Sequence, residues 1–472
     1  MHNPFRQLAR DSAIYGLSTV IQRLLTFLLT PLYTNILAPS ELGDVAQLYS
    51  LMALVTVLTT LGFEPAFMRY WAERDDRTRV FTHAFAATTV VAAAIVVLGA
   101  GGAGIISRGI ALSSPRAEFL VQMACAIVAL DAVAAIPFAL LRMERRALLF
   151  ALVRVTVVAV NVALNVVFVA YWRWGVEGVL VAGVAASLLS VVLLLPICVR
   201  YFEWRYDGHL LGALLQFGLP TVPAAFAAMV VQVADRPILG WIAGPDAVGI
   251  YNANYRLAIP MMLAVSVYET AWRPLYLQHA SQHHGHTLLA RALRYYLAAA
   301  VVLYAVVAAF IGDVVAIPIG KGHLIGAQYW SGLGIVPVVM AGYLVLGITT
   351  TVAAGIHITK RTEYLPLTQG AAAGANVVLN FVLIPLLGYM GAAWATVGAY
   401  VVGAIATVVI CQRIYPVRYG WGEVLVALAT CGVVAWTLHL LPQQGAIGVK
   451  SLCVGGAGIV AGWLYLKAHR SE

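Results

Sequence analysis

Four arginines and three carboxylates interrupt long apolar stretches of the sequence, where charged side chains are costly and usually functional. They are Arg23, Arg154, Arg236, Arg256, Asp131, Asp235 and Glu269. A guanidinium stays charged and can grip phosphate oxygens through two parallel hydrogen bonds. The four arginines therefore predict a cationic substrate-binding cavity inside a membrane.

Ion pairing and snorkelling are the alternative explanations for these charges. Arg236 adjoins Asp235 near a helix end, and Arg154 is close enough to one face for its charged group to reach the interface. The three carboxylates could bind H⁺ or Na⁺ for coupling or could neutralise the arginines, and we favour neutralisation. Beyond such a coupling ion, we expect no cofactor, no metal site and no catalytic residue.

Two pairs of asparagines share a second pattern. Asn161 with Asn165, and Asn376 with Asn380, lie at positions i and i+4 of two apolar stretches, so each pair occupies one helix face. Asparagine in a membrane helix usually bonds a neighbouring helix, at about 0.6–2 kcal/mol. We favour that structural role and keep a substrate contact as the alternative.

The composition indicates that the charged residues and asparagines named above lie on membrane helices. Hydrophobic residues make up 62% of 472 residues, charged residues 10%, and the mean hydropathy is +0.88. Soluble domains carry about 25% charged residues. The apolar runs are continuous, recur from end to end and are each long enough to cross a bilayer as a helix. The sequence therefore predicts an all-α polytopic membrane protein of about 14 transmembrane helices.

The predicted spans alternate with basic loops, which gives an orientation. The spans are 13–36, 43–63, 80–106, 117–141, 148–171, 176–199, 213–241, 247–271, 292–312, 331–356, 365–387, 390–413, 423–441 and 445–467. Most Lys and Arg residues fall in alternate loops, such as the one with Arg142, Arg145 and Arg146. Because cytoplasmic loops carry the excess of Lys and Arg, both termini are predicted to be cytoplasmic.

An internal repeat divides the chain. Each asparagine pair is followed by a glycine pair, Gly175-Val-Glu-Gly178 and Gly388-Tyr-Met-Gly391, and Pro39-Ser-Glu-Leu-Gly43 matches Pro245-Asp-Ala-Val-Gly249. We predict a six-helix lobe at 1–200, a second at 201–415 that starts with an interfacial linker, and two additional helices at 416–472. Six is even, so the repeats run parallel, as in transporters that alternate access to a cavity between two lobes.

These motifs together resemble one family. The chain is similar to the multidrug/oligosaccharidyl-lipid/polysaccharide (MOP) exporter superfamily, and within it to polysaccharide transporters of the Wzx O-antigen flippase type. The resemblance rests on a first span with Arg23 and Pro31, on Leu37-Ala-Pro-Ser-Glu-Leu-Gly43, on Gly249-Ile-Tyr251, and on the asparagine-rich spans. The helix count also resembles lipid II flippases, whose last two helices form a lipid-facing groove.

The resemblance implies a function that the composition alone does not show. It implies movement of an undecaprenyl-pyrophosphate-linked oligosaccharide across the bacterial inner membrane by alternating access, for surface polysaccharide or O-antigen lipopolysaccharide biosynthesis. Membrane lipids, a polysaccharide polymerase and other assembly proteins are the implied partners, and nucleic acid is not. In similar flippases, arginines of the first and eighth helices face the cavity, and Arg23 and Arg256 match them by helix only.

Other functions remain as alternatives. A lipid II-type flippase and a cation-coupled multidrug antiporter belong to the same superfamily. Four deep arginines against three carboxylates favour an anionic ligand over a cationic drug. The short predicted outside loops argue against a membrane polymerase or glycosyltransferase, so we do not expect an enzyme. Two fused, non-identical lobes give no support to a channel.

Overall fold

The computed structural model describes residues 4–205, 207–279, 285–320, 322–441 and 444–469, and the side chain of Arg23 lies outside that description. Twelve helical segments of the described residues are long and apolar enough to cross a membrane. One of them, Gly208–Arg273, contains two predicted spans, and a further apolar helical segment runs over Leu24–Ile36. The predicted all-α polytopic membrane fold is confirmed. Helices suit this sequence because they satisfy their own backbone hydrogen bonds inside lipid.

The chain forms two compact units. Unit 1 comprises Met1–Met229 and Gly244–Asp246, and unit 2 comprises Val230–Ala243 and Ala247–Glu472. The helices up to the division are α1 (Pro4–Ile36), α2 (Pro39–Thr60), α3 (Phe63–Glu73), α4 (Arg77–Gly109), α5 (Ala117–Met143), α6 (Ala147–Asn165), α7 (Gly175–Tyr201), α8 (Gly208–Gly218) and α9 (Val222–Val233). A π-helical turn, Val166–Tyr171, continues α6, and a 3-10 turn, Leu219–Thr221, joins α8 to α9.

Apart from Gly244–Asp246 of α10, unit 2 holds the remaining helices and a small hairpin. The helices are α10 (Asp235–Tyr255), α11 (Ile259–His279), α12 (Gly285–Val315), α13 (Ile335–Val352), α14 (Ala354–Ile358), α15 (Leu365–Leu387), α16 (Tyr389–Ile414), α17 (Trp421–His439) and α18 (Ile447–His469). Strands β1 (Pro318–Ile319) and β2 (Gly322–His323) pair antiparallel after α12. Three 3-10 turns, Arg256–Ala258, Ala327–Gly332 and Thr362–Tyr364, complete the unit.

The linker predicted after the sixth span contains α8, which packs into the apolar core of unit 1. Leu210 and Leu214 of α8 are buried in the same apolar cluster as Phe67 of α3 and Phe81 of α4. The helix begins at Gly208, because the Asp207 carboxylate accepts hydrogen bonds from the backbone N–H groups of the first turn, at 3.0 and 3.2 Å. These bonds hold the pKa of Asp207 below its ordinary value. Within the predicted linker, α8 is therefore a helix docked in the core of unit 1.

Each unit has a glycine with the same positive φ where a helix begins. Gly175 begins α7 and Gly388 precedes α16, and each has a φ of +58°. This left-handed conformation suits glycine because it has no Cβ atom to clash. Gly244, at φ +84°, breaks the helical conformation inside α10 and separates the predicted seventh and eighth spans.

Candidate functional site

Asp235 and Arg236 form a buried ion pair in unit 2. The Asp235 side chain is fully buried, and its Oδ1 accepts a hydrogen bond from Arg236 Nη1 at 2.8 Å. The hydroxyl of Tyr251 donates to Oδ2 at 2.6 Å, and Arg236 Nη1 also donates to the carbonyl of Gln232 at 2.6 Å. Both carboxylate oxygens are thus occupied, and the negative charge is compensated within the helix that carries it.

Tyrosine side chains surround the Arg236 guanidinium. Its central carbon lies 4.5 Å from the ring centroid of Tyr255, within the range of a cation–π interaction. The hydroxyl of Tyr343 donates to that of Tyr255 at 3.0 Å, and Tyr400 packs against the Tyr343 ring. Arg236 itself is 8% exposed. A ligand would have to open this network to reach the guanidinium, so the contacts of Arg236 are those of a structural residue.

Arg154 has different surroundings in unit 1. It lies on α6 with its guanidinium carbon 3.9 Å from the ring centroid of Phe138 and 5.8 Å from that of Phe150. It is partly buried and makes no hydrogen bond or ion pair with any residue the structure describes. The aromatic faces orient the guanidinium and leave its N–H donors available. Arg154 can therefore bind an anion without losing an existing carboxylate partner.

Asp131 lies midway along α5. Its Oδ1 accepts a hydrogen bond from Ser187 Oγ of α7 at 2.7 Å, and the residue is exposed at the surface of unit 1. Arg154 is near enough to attract it electrostatically but does not form an ion pair with it. The structure thus places Asp131 and Arg154 in one neighbourhood of unit 1, with their charges unpaired among the described residues.

The remaining predicted charges are placed but not brought together. Arg256 is partly buried at the start of the 3-10 turn after α10, and Glu269 is exposed on α11. The side chain of Arg23 falls outside the described part of the chain. The prediction that Arg23 and Arg256 reach one ligand therefore stays a prediction.

The two asparagine pairs have the same internal geometry. Asn165 Nδ2 donates to the carbonyl of Asn161 at 2.8 Å, and Asn380 Nδ2 donates to that of Asn376 at 2.8 Å. In unit 1, the hydroxyl of Tyr33 completes the set by donating to Asn165 Oδ1 at 2.7 Å. In unit 2, Asn380 Oδ1 and Asn376 Nδ2 are buried without a hydrogen-bond partner among the described residues. The equivalent pairs thus differ in how completely they are satisfied.

Ion pairs that the sequence did not predict fasten the last two helices to α12. Glu423 of α17 accepts a hydrogen bond from Arg294 at 2.7 Å and lies 3.4 Å from Lys467 of α18. Nearer the other end of α12, Lys450 of α18 donates to Asp313, at 2.5 Å. Lys450 is 2% exposed. A lysine inside the predicted span 445–467 is the signal in the sequence that could have identified this contact.

An apolar groove runs between α17 and α18. Its volume is about 570 Å³, and its lining includes Val426, Val433, Leu452, Cys453 and Gly456. Gly456 has no atom within 4 Å of the position a Cβ would take, so the helices leave open space there. The groove is suited to an apolar chain rather than a polar solute.

Comparison with known proteins places this architecture in a family. The family model "Polysaccharide biosynthesis protein" matches residues 8–279. No curated protein sequence matches the chain significantly.

Solved structures share the fold at low sequence identity. A lipid II flippase MurJ in an inward closed conformation is 13% identical with a TM-score of 0.73, covering 97% of this chain and 98% of MurJ. An inward-facing multidrug resistance MATE family transporter is 15% identical with a TM-score of 0.63, covering 83% and 94%. A MOP superfamily transporter from Pyrococcus furiosus, described as having a binding pocket of reverse polarity, is 13% identical with a TM-score of 0.56, covering 93% and 98%. Because the family model covers more than half of the sequence, the chain belongs to the polysaccharide biosynthesis protein family, within the MOP exporter superfamily.

Proposed function

We propose that this multi-pass membrane protein is a flippase that moves an undecaprenyl-pyrophosphate-linked oligosaccharide to the periplasmic leaflet for surface polysaccharide or O-antigen synthesis. The observation that carries the proposal is the Arg154 guanidinium, partly buried in an apolar helix and free of any carboxylate partner among the described residues. The family model supports the substrate class, because it describes polysaccharide biosynthesis.

The chemistry of Arg154 matches a pyrophosphate. A guanidinium offers a planar set of donors that two phosphate oxygens can accept in parallel, and it stays charged at this depth. Packing against Phe138 reduces the water around it, which strengthens its attraction to an anion. A cationic drug would be repelled by the same group, so Arg154 argues against the multidrug alternative.

The lipid end of the substrate needs a different surface. The α17–α18 groove is apolar and of a size to hold part of a polyprenyl chain. Ion pairs at Glu423 and at Lys450 hold these helices on α12, which keeps the groove in place. We propose that the groove receives the prenyl tail of the substrate.

We assign ion coupling to a carboxylate that forms no ion pair with any described residue. Asp235 is paired with Arg236, whereas Asp131 and Glu269 have no ion pair among the described residues. Asp131 lies mid-span, where protonation or Na⁺ binding changes its solvation most. We propose Asp131 as the residue that binds H⁺ or Na⁺, and a polysaccharide polymerase as the protein that receives the flipped unit.

A cell assay tests the transport proposal. In a strain without the protein, lipid-linked oligosaccharide should accumulate on the cytoplasmic leaflet, and the wild-type gene should restore its appearance outside. Arg154→Gln should reduce the restored rate about tenfold or more, because a charge-assisted hydrogen bond to phosphate is lost. Arg154→Lys should keep part of the rate.

The matched control removes an exposed arginine of the same unit. Arg200→Gln, at the end of α7, should transport normally. Normal transfer in the deletion strain, with no redundant flippase, would overturn the proposal. Normal transport by Arg154→Gln would remove Arg154 from the binding site while leaving the function in place.

The second candidate is a flippase of the peptidoglycan precursor. The fold shared with the lipid II flippase over nearly the whole of both chains favours it. Its substrate also carries a prenyl tail and a pyrophosphate, so the same groove and arginine would serve. Rescue of a strain depleted of its lipid II flippase, without any effect on surface polysaccharide, would select this candidate.

A further inference from the structure

A second pocket lies at one end of unit 2 and includes Arg294, the partner of Glu423. It encloses about 360 Å³ where α12 begins and where the segment between α16 and α17 passes. Its lining residues are His286, Thr287, Ala290, Arg294, Pro416 and Arg418. Two arginines and a histidine in so small a lining point to an anionic ligand.

The segment that carries Arg418 is held rigidly. Buried and exposed side chains alternate along it. Val417 and Tyr419 are buried, with 3% and 7% of their surface exposed, whereas Pro416 and Arg418 are exposed. Gln412 Nε2 donates to the Val417 carbonyl at 2.7 Å, and the Val417 N–H donates back to Gln412 Oε1 at 3.2 Å. The buried side chains of Val417 and Tyr419 and the two hydrogen bonds from Gln412 anchor this segment. Arg418 is therefore held at the edge of the pocket.

The electrostatics of the pocket are positive. His286 and Thr287 lie in the first turn of α12, a 31-residue helix whose N-terminus carries a partial positive charge. Arg294 shares the Glu423 carboxylate with Lys467, so one negative charge offsets two positive ones. Arg418 has no hydrogen bond or ion pair with any described residue. The pocket thus offers an unused guanidinium beside a helix N-terminus.

The depth of the pocket identifies the class of anion. It lies where α12 and α17 begin and α16 ends, at the ends of three helices that are long and apolar enough to cross a membrane. Trp421 and Trp463 are exposed near the same ends of α17 and α18, and Lys467 lies over the Trp463 ring at 4.4 Å. Exposed tryptophans mark the headgroup level of a bilayer.

We propose that this pocket binds the phosphate headgroup of an anionic membrane phospholipid. Basic pockets between membrane helices are suited to such headgroups, and the exposed apolar faces of α17 and α18 lie alongside for the acyl chains. The pocket shares no lining residue with the α17–α18 groove, so it stands whichever substrate the protein moves.

Lipid retention by the full-length protein tests the proposal. The protein is reconstituted into vesicles of equal parts phosphatidylcholine and phosphatidylglycerol and extracted, and its bound lipids are counted by native mass spectrometry. Phosphatidylglycerol should be enriched on the wild type. Arg418→Gln should lower that enrichment about fivefold, because one basic contact is lost. High salt should weaken it as well.

Arg361→Gln is the matched control. Arg361 is an exposed arginine of the same unit outside the pocket, so its replacement removes the same charge from the protein. It should leave the enrichment unchanged. An equal loss in both variants, no preference for phosphatidylglycerol on the wild type, or displacement of the lipid by millimolar inorganic phosphate would each overturn the proposal. If Arg418→Gln fails to fold, the absence of a preference on the wild type still overturns the proposal.

Discussion

Arg154 and Arg236 carry the same charge inside apolar helices, yet the structure gives them different surroundings. Arg236 is enclosed by Asp235, by the carbonyl of Gln232 and by tyrosine rings. Arg154 packs against two phenylalanines and makes no hydrogen bond with any residue in the described part of the chain. The distinction depends on partners that are distant in the sequence, which is why sequence alone could rank the two residues only by their position in a helix.

The buried Asp235–Arg236 pair predicts that removing one charge destabilises the protein more than removing both. Asp235→Asn should destabilise the protein by about 3–5 kcal/mol, because it leaves the Arg236 charge buried without its counter-charge. Asp235→Asn combined with Arg236→Gln should recover part of that loss. Thermal unfolding in detergent, followed by size-exclusion chromatography, measures both.

An exposed pair in unit 1 serves as the control for this measurement. Arg69 and Glu73 lie 3.0 Å apart on α3, and each side chain is about half exposed. Glu73→Gln should change stability by less than about 1 kcal/mol. A double variant at 235 and 236 that is no more stable than Asp235→Asn would contradict the structural role of the pair.

At the scale of elements, α8 is docked by a close approach of two glycines. Gly62, at φ +70° before α3, has the carbonyl oxygen of Gly218 only 2.2 Å from the position a Cβ would occupy. A Cβ on Gly218 would lie 2.8 Å from the carbonyl oxygens of Gly62 and Leu61. No side chain fits between these backbones, so the end of α8 rests directly on the turn between α2 and α3.

Two glycine-to-alanine variants distinguish the effect of this close packing from the effect of helix propensity. Gly62→Ala should sharply reduce the yield of folded protein, because alanine at this position meets both an unfavourable φ and a backbone clash. Gly212→Ala, in the same docked helix α8 but with nothing within 4 Å, should leave the yield unchanged or slightly higher. The fluorescence of a fused reporter after size exclusion measures the yield. Equal yields for the two variants would show that the approach of α8 is not required.

The last two helices show how an appended element is secured. Their apolar faces alone would not fix their position, since lipid tails are as apolar as the side chains. Ion pairs at Glu423 and Lys450 supply directional contacts to α12 near both of its ends. The sequence identified these helices as lying outside the repeat but could not say which helix they would contact.

For the whole molecule, composition and apolar run length were sufficient to predict the fold class. The predicted span 80–106 lies inside α4, Arg77–Gly109, and 292–312 lies inside α12, Gly285–Val315. The helices are longer because polar flanking residues continue the helix after it has left the apolar layer. The break at Gly244 falls between two predicted spans, whereas the π-helical turn Val166–Tyr171 has no signal of its own, because its residues continue the apolar run of α6.

The candidate site was less predictable than the fold. The charged residues were identified because charge inside an apolar run is visible in the sequence. Their pairing was not, since the contacts of Asp131 with Ser187 and of Arg154 with Phe138 join different helices. The pocket at Arg418 had no sequence signal, because its positive potential arises from a helix end, a rigid segment and a shared carboxylate.

The orientation of the whole molecule gives the last prediction. Basic residues concentrate in alternate connections, so the positive-inside rule places residues 75, 145, 204 and 418 in the cytoplasm and residues 113, 173 and 445 outside. Alkaline phosphatase fused after the second set should be active, and a fluorescent protein fused after the first set should fluoresce. An even number of spans also requires both termini to report from the cytoplasm. The reverse pattern would invert the proposed direction of transport. A mixed pattern would mean that the number of spans is wrong. The first place to re-examine would then be the break at Gly244, which separates the seventh and eighth spans.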